Sequence, residues 1–303
     1  ARDDYWRGEV NIKTIRATYL GDPAAITDTF KADGMQMAMI RNPQYVDEFL
    51  GAEQPGFLNM VPMGNVAIIN TGEGRAGADV RVRKALQLAI DPQVVVDRVY
   101  GGSGYASSEL FPEISSWHSG VEALGYDPEE AKKLVEEAKA DGFDGKITYT
   151  QLSTPDSREQ AMALKAMWDA AGFETELDIL RNPQELGPRV FIERDYEVST
   201  WGLSWREAEP WARAAATMHS SGNTLGMATS PEMDALIEEL QGAETKDESK
   251  EILGRIQELW NEEVPAIMLG PAPDFVMWAP ELRGVKSHIN AMVVLDEAWI
   301  EQG

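Results

Sequence analysis

The sequence contains no cysteine and only three histidines among its 303 residues. The absence of cysteine excludes disulfide bonds, thiolate zinc sites, iron–sulfur clusters and cysteine nucleophiles. His118, His219 and His288 lie far apart, and no predicted helix presents one of them with a second metal ligand four residues away. The sequence therefore predicts no metal site and no cofactor, and it nominates no catalytic residue.

Basic residues are scarce: Lys and Arg number 27 against 51 Asp and Glu, which gives a formal net charge of −24. A surface this acidic repels phosphate backbones and anionic membranes, so we expect no binding to nucleic acid. No window approaches ~18 consecutive apolar residues, and the opening ARDDYWRGEV lacks the basic and apolar parts of a signal peptide. We expect any export leader to lie outside this chain.

Five helix starts are marked by a capping residue that is followed directly by proline. The capping oxygen accepts an orphan backbone N–H, and proline loses no hydrogen bond at the first helical position. Together with apolar stripes at helical spacing, this pattern predicts helices over residues 127–142 and 154–172 and from residue 244 onwards. The five pairs are Asp22-Pro23, Asp127-Pro128, Thr154-Pro155, Asn182-Pro183 and Ser230-Pro231.

Strand patterns alternate with these helices. Residues 146–152, 173–179 and 196–203 are predicted strands, and the two helices between them act as crossovers. This order predicts a parallel sheet with right-handed crossovers, and hence an α/β fold. Shorter predicted elements are a strand at 12–19, a helix at 22–31, a strand at 35–40, and two strands near the end at 266–269 and 275–278.

Residues 72–77, Gly-Glu-Gly-Arg-Ala-Gly, formally match the G-x-G-x-x-G dinucleotide fingerprint. A phosphate cradle needs a bare, electropositive helix start, whereas Glu73 lies inside this loop and Asp79 at the cap of the predicted helix 79–90. A second predicted helix, 91–99, takes the place of the next parallel strand. A glycine linker is the favoured interpretation, and a nucleotide-dependent dehydrogenase remains an alternative.

Three tryptophans, Trp201, Trp205 and Trp211, follow the predicted strand 196–203, with Arg206 and Glu207 between them. Ligands of open α/β sheets collect beyond the carboxyl ends of the strands. Indoles offer flat apolar area, and Arg206 and Glu207 can meet opposite charges on a solute. The competing interpretation is structural, with Trp201 in the sheet and Trp211 on the core face of a helix.

Several short motifs follow one another in an order that resembles the C-terminal part of family 5 extracellular solute-binding proteins of ABC importers, the oligopeptide, dipeptide and nickel binders. The resemblance extends over the whole chain. The motifs are Asp3-Asp4-Tyr5-Trp6-Arg7-Gly8, Asp33-Gly34, the run 65–70, the segment DVRVRKALQLAID at 79–91, Gly125-Tyr126-Asp127-Pro128, Ser230-Pro231 and Glu263-Val264-Pro265.

The resemblance implies an α/β fold of the periplasmic-binding-protein type II kind, with two lobes joined by hinge crossovers. Residues 1–71 and 266–303 would belong to the first lobe, which is incomplete in this chain, and residues 72–265 would form the second lobe. The hinge crossovers would lie at 70–77 and 264–270. The glycine stretch 72–77 would then be a connection between lobes.

The resemblance also nominates ligand-binding residues. Peptide-binding members carry an aspartate four positions before the proline of the segment that here runs from Trp201 to Pro210, and it holds the peptide amino terminus. This chain has Arg206 there, and an arginine favours a carboxylate or sugar hydroxyls over an ammonium. Glu207 is the neighbouring substitute, and Asn223 matches a frequent family asparagine. The full candidate set is Trp201, Trp205, Arg206, Glu207, Trp211 and Asn223.

The implied function is that of a non-enzymatic substrate-binding subunit of an ABC importer. It would capture a peptide or peptide-like solute between the lobes and deliver it to the membrane permease. An opine-like conjugate and an oligosaccharide are alternative solutes, and an interaction domain without solute binding is a further alternative. We expect a monomer in the periplasm or outside the cell, associated with the membrane through the transporter.

Overall fold

The computed structural model describes residues 4–205, 207–222, 225–288 and 292–301. The helices are α1 (Pro23–Lys31), α2 (Pro43–Gly51), α3 (Val80–Leu88), α4 (Pro92–Tyr100), α5 (Pro128–Ala140), α6 (Pro155–Ala170), α7 (Leu186–Pro188), α8 (Pro210–Thr217), α9 (Pro231–Gly242) and α10 (Lys246–Glu263). The strands are β1 (Met37–Ile40), β2 (Gly56–Ile69), β3 (Lys146–Leu152), β4 (Glu174–Leu180), β5 (Val198–Trp201), β6 (Ala266–Trp278), β7 (Leu282–Arg283), β8 (Lys286–Ser287), β9 (Val293–Val294) and β10 (Trp299–Ile300).

The described chain divides into two compact units. The smaller comprises the described parts of residues 1–60 and 272–303, and the larger comprises the described parts of residues 61–271. The unit limits at 60/61 and 271/272 fall inside β2 and β6. The lobe limits at 71/72 and 265/266, with their hinge crossovers, remain predictions.

In the smaller unit, β1 pairs antiparallel with the end of β6, Met37 opposite Trp278 and Ile40 opposite Phe275. Helices α1 and α2 pack on this pair, and Phe30 meets Phe49 edge-to-face with ring centroids 5.7 Å apart. Burial of this apolar cluster gives the unit a core of its own.

The predicted strand at residues 12–19 is wrong. The segment has no strand partner among the described residues, and Ile15 and Tyr19 are exposed. An extended segment without a neighbouring strand leaves its backbone groups to water, so a composition that favours strands does not by itself make a strand.

In the larger unit, the strands are ordered β6-β2-β5-β3-β4. Strand β3 runs parallel to β4 and to β5, which confirms the predicted parallel arrangement, while β2 runs antiparallel to β5. Successive side chains of β2 serve opposite faces: Val66 and Ile68 enter one core, and Ala67 and Ile69 enter the other. The sheet is therefore covered on both faces.

The two cores have different helices. One face carries α3 to α6, where buried Trp168 donates from Nε1 to the Leu86 carbonyl at 2.9 Å and packs edge-to-face on Tyr149. The other face carries α8, α9 and α10, with Met218, Ile237 and Ile256 in its core. Because helices cover both faces of the sheet, a solute would reach it at the strand ends.

The predicted helix starts are confirmed at α1, α5, α6 and α9, where the capping side chains accept backbone N–H groups. After Asn182 the outcome differs, because a 3₁₀ turn, the short α7 and a π-helical turn at Arg189–Glu193 replace a regular helix. Pro188 lies inside this segment, and proline removes an interior hydrogen bond and clashes with the preceding turn. In the described part of the chain, no helix is long and apolar enough to cross a membrane.

Candidate functional site

The carboxyl ends of β3, β4 and β5 lie at one edge of the sheet in the larger unit. Leu152 pairs with Leu180 at the ends of β3 and β4, and Thr150 pairs with Ser199 in β5. The three strands run parallel, so the segments that follow them emerge on the same side. We call this side, with residues 153–154, 181–182 and 202–205, the carboxyl edge, and it is where α/β sheets place their ligands.

Trp201 is the last residue of β5 and reaches the carboxyl edge. Its side chain is half-buried and packs against the core under α8 to α10. The Phe191 ring meets it edge-to-face, with centroids 5.2 Å apart and planes at 80°. Trp201 thus joins the sheet, as the structural interpretation held, and it also keeps part of its indole at the surface.

Trp205 is a core residue. Its side chain is 0% exposed, it packs near Phe111, and its Nε1 donates to the Thr217 hydroxyl at 2.9 Å. A side chain with no exposed surface cannot contact a solute in this conformation. The expectation that Trp205 lines the cleft therefore does not fit its buried position. Instead, the Trp205 side chain holds the segment 203–205 against α8.

Glu207 holds a distant loop. Its carboxylate accepts hydrogen bonds from the Ser115 hydroxyl and from the Ser116 backbone N–H and hydroxyl, the last two at 3.2 and 2.7 Å. Trp117 donates from Nε1 to the Glu207 carbonyl at 2.6 Å. A carboxylate has about four acceptor positions, so three donors leave room for one more.

Sequence reasoning missed Ser115, Ser116 and Trp117. They lie some 90 positions before Glu207 along the chain, and nothing in their local pattern indicates the pairing. Of the three remaining predicted residues, the structure describes one. Trp211 lies in the first turn of α8 and is 39% exposed. Arg206 and Asn223 lie outside the described residues.

Asn70 links the glycine stretch 72–77 to a segment that is distant along the chain. Asn70 accepts from the Gly72 N–H at 3.0 Å through Oδ1 and donates through Nδ2 to the Arg194 and Tyr196 carbonyls at 2.9 Å each. At Gly77 a Cβ would lie 2.4 Å from the Ile69 side chain, so close packing explains this glycine.

The start of α3 is occupied by a carboxylate. Asp79 accepts from the Arg81 backbone N–H at 2.8 Å and pairs with its guanidinium at 2.7 Å. The Arg81 hydrogen bond lowers the pKa of the Asp79 carboxyl below its usual value. A charged carboxylate at the cap opposes a phosphate there, so the nucleotide-dependent alternative is not favoured.

The histidines lie in separate surroundings. His118 Nδ1 is 3.1 Å from the Phe111 carbonyl and 3.5 Å from Glu109, and His219 lies near Asp234 and Glu238. Among residues 4–205, 207–222, 225–288 and 292–301, no group of three His, Cys, Asp or Glu side chains could hold a metal ion.

Partly exposed aromatic and acidic side chains thus lie beyond the parallel strand ends of this α/β sheet, which is the position at which such sheets commonly bind ligands. The family model "Bacterial extracellular solute-binding proteins, family 5 Middle" matches residues 1–224, and the chain belongs to this family. This confirms the family that the motifs indicate, which is a family of binding proteins.

Named relatives agree with that assignment. Heme-binding protein A of Haemophilus influenzae is 26% identical over 298 residues, which cover 94% of this chain and 53% of that protein. The dipeptide-binding protein of Escherichia coli K12 is 22% identical and covers 94% and 54%, respectively. The chain thus spans about half the length of these curated relatives.

Solved structures show the same fold. The oligopeptide-binding protein AppA of Bacillus subtilis, solved with a nonapeptide, superposes with a TM-score of 0.81 at 18% identity, covering 100% of this chain and 63% of that one. NikA from Brucella suis, solved with Fe(III)-EDTA, gives a TM-score of 0.74 at 18% identity and covers 99% and 64%. These similarities confirm the predicted periplasmic-binding-protein type II fold class.

Proposed function

We propose that this chain is part of the substrate-binding subunit of an ABC importer and that it binds a peptide or peptide-like solute at the carboxyl edge. The observation that carries the proposal is the convergence of β3, β4 and β5 on one edge, where Trp201 remains partly exposed. Family membership and the dipeptide-binding and oligopeptide-binding relatives support the solute class.

Each candidate residue has a proposed role. Trp201 and Trp211 offer flat apolar surface to the solute, and Glu207 offers its remaining acceptor position to the solute's ammonium group. Trp205 supports the segment from the core. From its chemistry alone, Arg206 would hold a carboxylate, and Asn223 would donate a hydrogen bond.

Capture requires no chemistry on the solute. In the proposed mechanism the two lobes close by bending at 70–77 and 264–270, and the solute binds the closed form better than the open one. Its differential affinity sets how far the population shifts toward the closed form, which the permease recognises. The protein would act as a monomer, in the periplasm or outside the cell, and would associate with the membrane through the transporter.

Calorimetric titration with Ala-Ala-Ala and with its N-acetylated form tests the proposal. The free peptide should bind more tightly, and Glu207→Gln should weaken it roughly tenfold, the order of one hydrogen bond to a charged group. The matched control is Glu209→Gln, since Glu209 is exposed two positions away and its side chain makes no cap hydrogen bond to α8.

The N-acetylated peptide should be insensitive to both substitutions, because it has no ammonium group. Hemin, an opine and a maltooligosaccharide are titrated in parallel, the first because one relative is a heme-binding protein. Binding of one of these three without any peptide binding would overturn the proposed solute class.

A further inference from the structure

The connection between β4 and β5 exposes two apolar side chains beside the carboxyl edge. Phe191 is 45% exposed and Ile192 is 79% exposed, and both lie in the π-helical turn Arg189–Glu193. Contiguous exposed apolar surface commonly marks a binding site, and these two exposed side chains are neighbours in the chain.

The turn that carries these side chains is fixed at its base. Val190, inside the turn, is fully buried, and Leu186 just before it also enters the core under α8 to α10. Arg189 forms an ion pair with Asp178 of β4. Phe191 and Ile192 are therefore exposed on a turn whose backbone is fixed by buried and ion-paired neighbours.

The end of the turn is held as well. Arg194 adopts a left-handed backbone conformation, with φ of 50°, and its carbonyl accepts from Asn70 Nδ2 at 2.9 Å and from the Arg75 guanidinium at 3.3 Å. Left-handed backbone at a non-glycine residue is maintained only where its surroundings fix it, and π-helical turns are frequent at functional sites.

Phe191 stands against Trp201 with ring centroids 5.2 Å apart and planes at 80°. The edge-to-face arrangement leaves ring surface of Phe191 open to solvent, and Trp201 beside it ends β5 at the carboxyl edge. Arg189 is already paired with Asp178, and the exposed charges of the turn are those of Glu193 and Arg194, so the contact that Phe191 and Trp201 themselves offer a solute is apolar.

We propose that Phe191 and Trp201 form an aromatic subsite that receives an aromatic or bulky apolar side chain of the solute. This inference rests on the proposed function, since it assigns one part of the solute to one part of that site. A third ring added to the pair gains both apolar burial and favourable ring geometry. The subsite therefore selects solutes by side chain, while Glu207 acts on the amino terminus.

The test compares Ala-Phe-Ala with Ala-Ala-Ala by calorimetry on the unmodified protein, Phe191→Ala and Phe191→Leu. The unmodified protein should prefer Ala-Phe-Ala by about three- to tenfold, as one aromatic contact implies. Phe191→Ala should remove the preference, and Phe191→Leu should keep part of it. Met162→Ala is the control, because Met162 is similarly exposed but lies on α6, which packs on the opposite face of the sheet.

A second probe separates this subsite from peptide binding. 1-Anilinonaphthalene-8-sulfonate, an aromatic dye, should gain fluorescence with the unmodified protein and with Met162→Ala, and less with Phe191→Ala. Dye binding that depends on Phe191 without any peptide binding would support the aromatic surface and refute the proposed function. Equal affinity for the two peptides would overturn the subsite and leave the proposed function standing. If neither peptide bound and the dye fluorescence did not depend on Phe191, the subsite and the proposed function would both be overturned.

Discussion

Trp205 and Trp211 lie six residues apart and have opposite surroundings. Trp205 is fully buried with its N–H bonded to Thr217, whereas Trp211 is partly exposed on α8. Trp205→Ala should lower the free energy of unfolding by about 3–5 kcal/mol, because it removes a packed ring and leaves a cavity. Trp211→Ala should lower it by about 1 kcal/mol or less.

Urea unfolding followed by circular dichroism measures both changes. If Trp205→Ala unfolded at the same urea concentration as Trp211→Ala, the core position of Trp205 would be refuted. The sequence grouped the two tryptophans because six residues separate them, but burial depends on contacts with residues such as Phe111, about 90 positions away. Local pattern carries no information on such contacts.

The Glu109 carboxyl should make the stability of the folded chain depend on pH. Burial raises the pKa of its carboxyl above the usual 4.5, His118 opposes that rise, and Glu113 and Glu122 add to it. Between about 4.5 and the raised value the folded chain holds a proton that the unfolded chain has released, so this contribution to stability falls as pH rises.

Glu109→Gln removes that dependence. Relative to the unmodified protein, the variant should gain melting temperature as the pH is raised from 4 to 7, because only the unmodified protein must bury a carboxylate at the higher pH. Melting curves at unit pH intervals check this, and a constant difference between the two proteins across that range would contradict it.

At the scale of elements, the stretch 72–77 is a structural connection whose last glycine is set by packing. A Cβ at Gly77 would lie 2.4 Å from Ile69 Cγ2 and 2.5 Å from the Asn70 carbonyl oxygen. Gly77→Ala should therefore lower the free energy of unfolding by about 1–3 kcal/mol, the usual effect of overpacking.

Gly125→Ala is the matched control. A Cβ at Gly125 meets nothing within 4 Å, so this change should leave stability unchanged or raise it slightly. Thermal melts compare the two, and equal melting temperatures would show that the packing around Gly77 is looser than the structure has it.

Helices and strands were predictable where a pattern within the segment itself was enough to specify the element. Capping residues predicted the starts of α5, α6 and α9, apolar stripes predicted the course of α5 and α6, and residues 146–152 and 173–179, predicted as strands, form β3 and β4. The segment 12–19 failed because a strand needs a partner that its own residues do not specify. The segment after Asn182 failed because Pro188 outweighed the cap and proline at its start.

At the scale of the whole molecule, the motif order and the helix–strand order together indicated the fold class and family. The candidate site was only partly predictable. Proximity to a strand end nominated Trp201 and Glu207, but the Ser115 and Ser116 donors and the neighbouring Phe191 come from other parts of the chain. Long-range pairing of this kind follows from topology, which a single segment does not contain.

In the proposed function, the folded chain binds a peptide-like solute and not a nucleotide. Native mass spectrometry of the purified protein, incubated with an equimolar mixture of short peptides, NAD and ATP, tests it most directly. We expect additional masses that match peptides, and peptides with an aromatic side chain should be enriched among them. Additional masses of NAD or ATP, or a protein that stays free of every peptide, would contradict it.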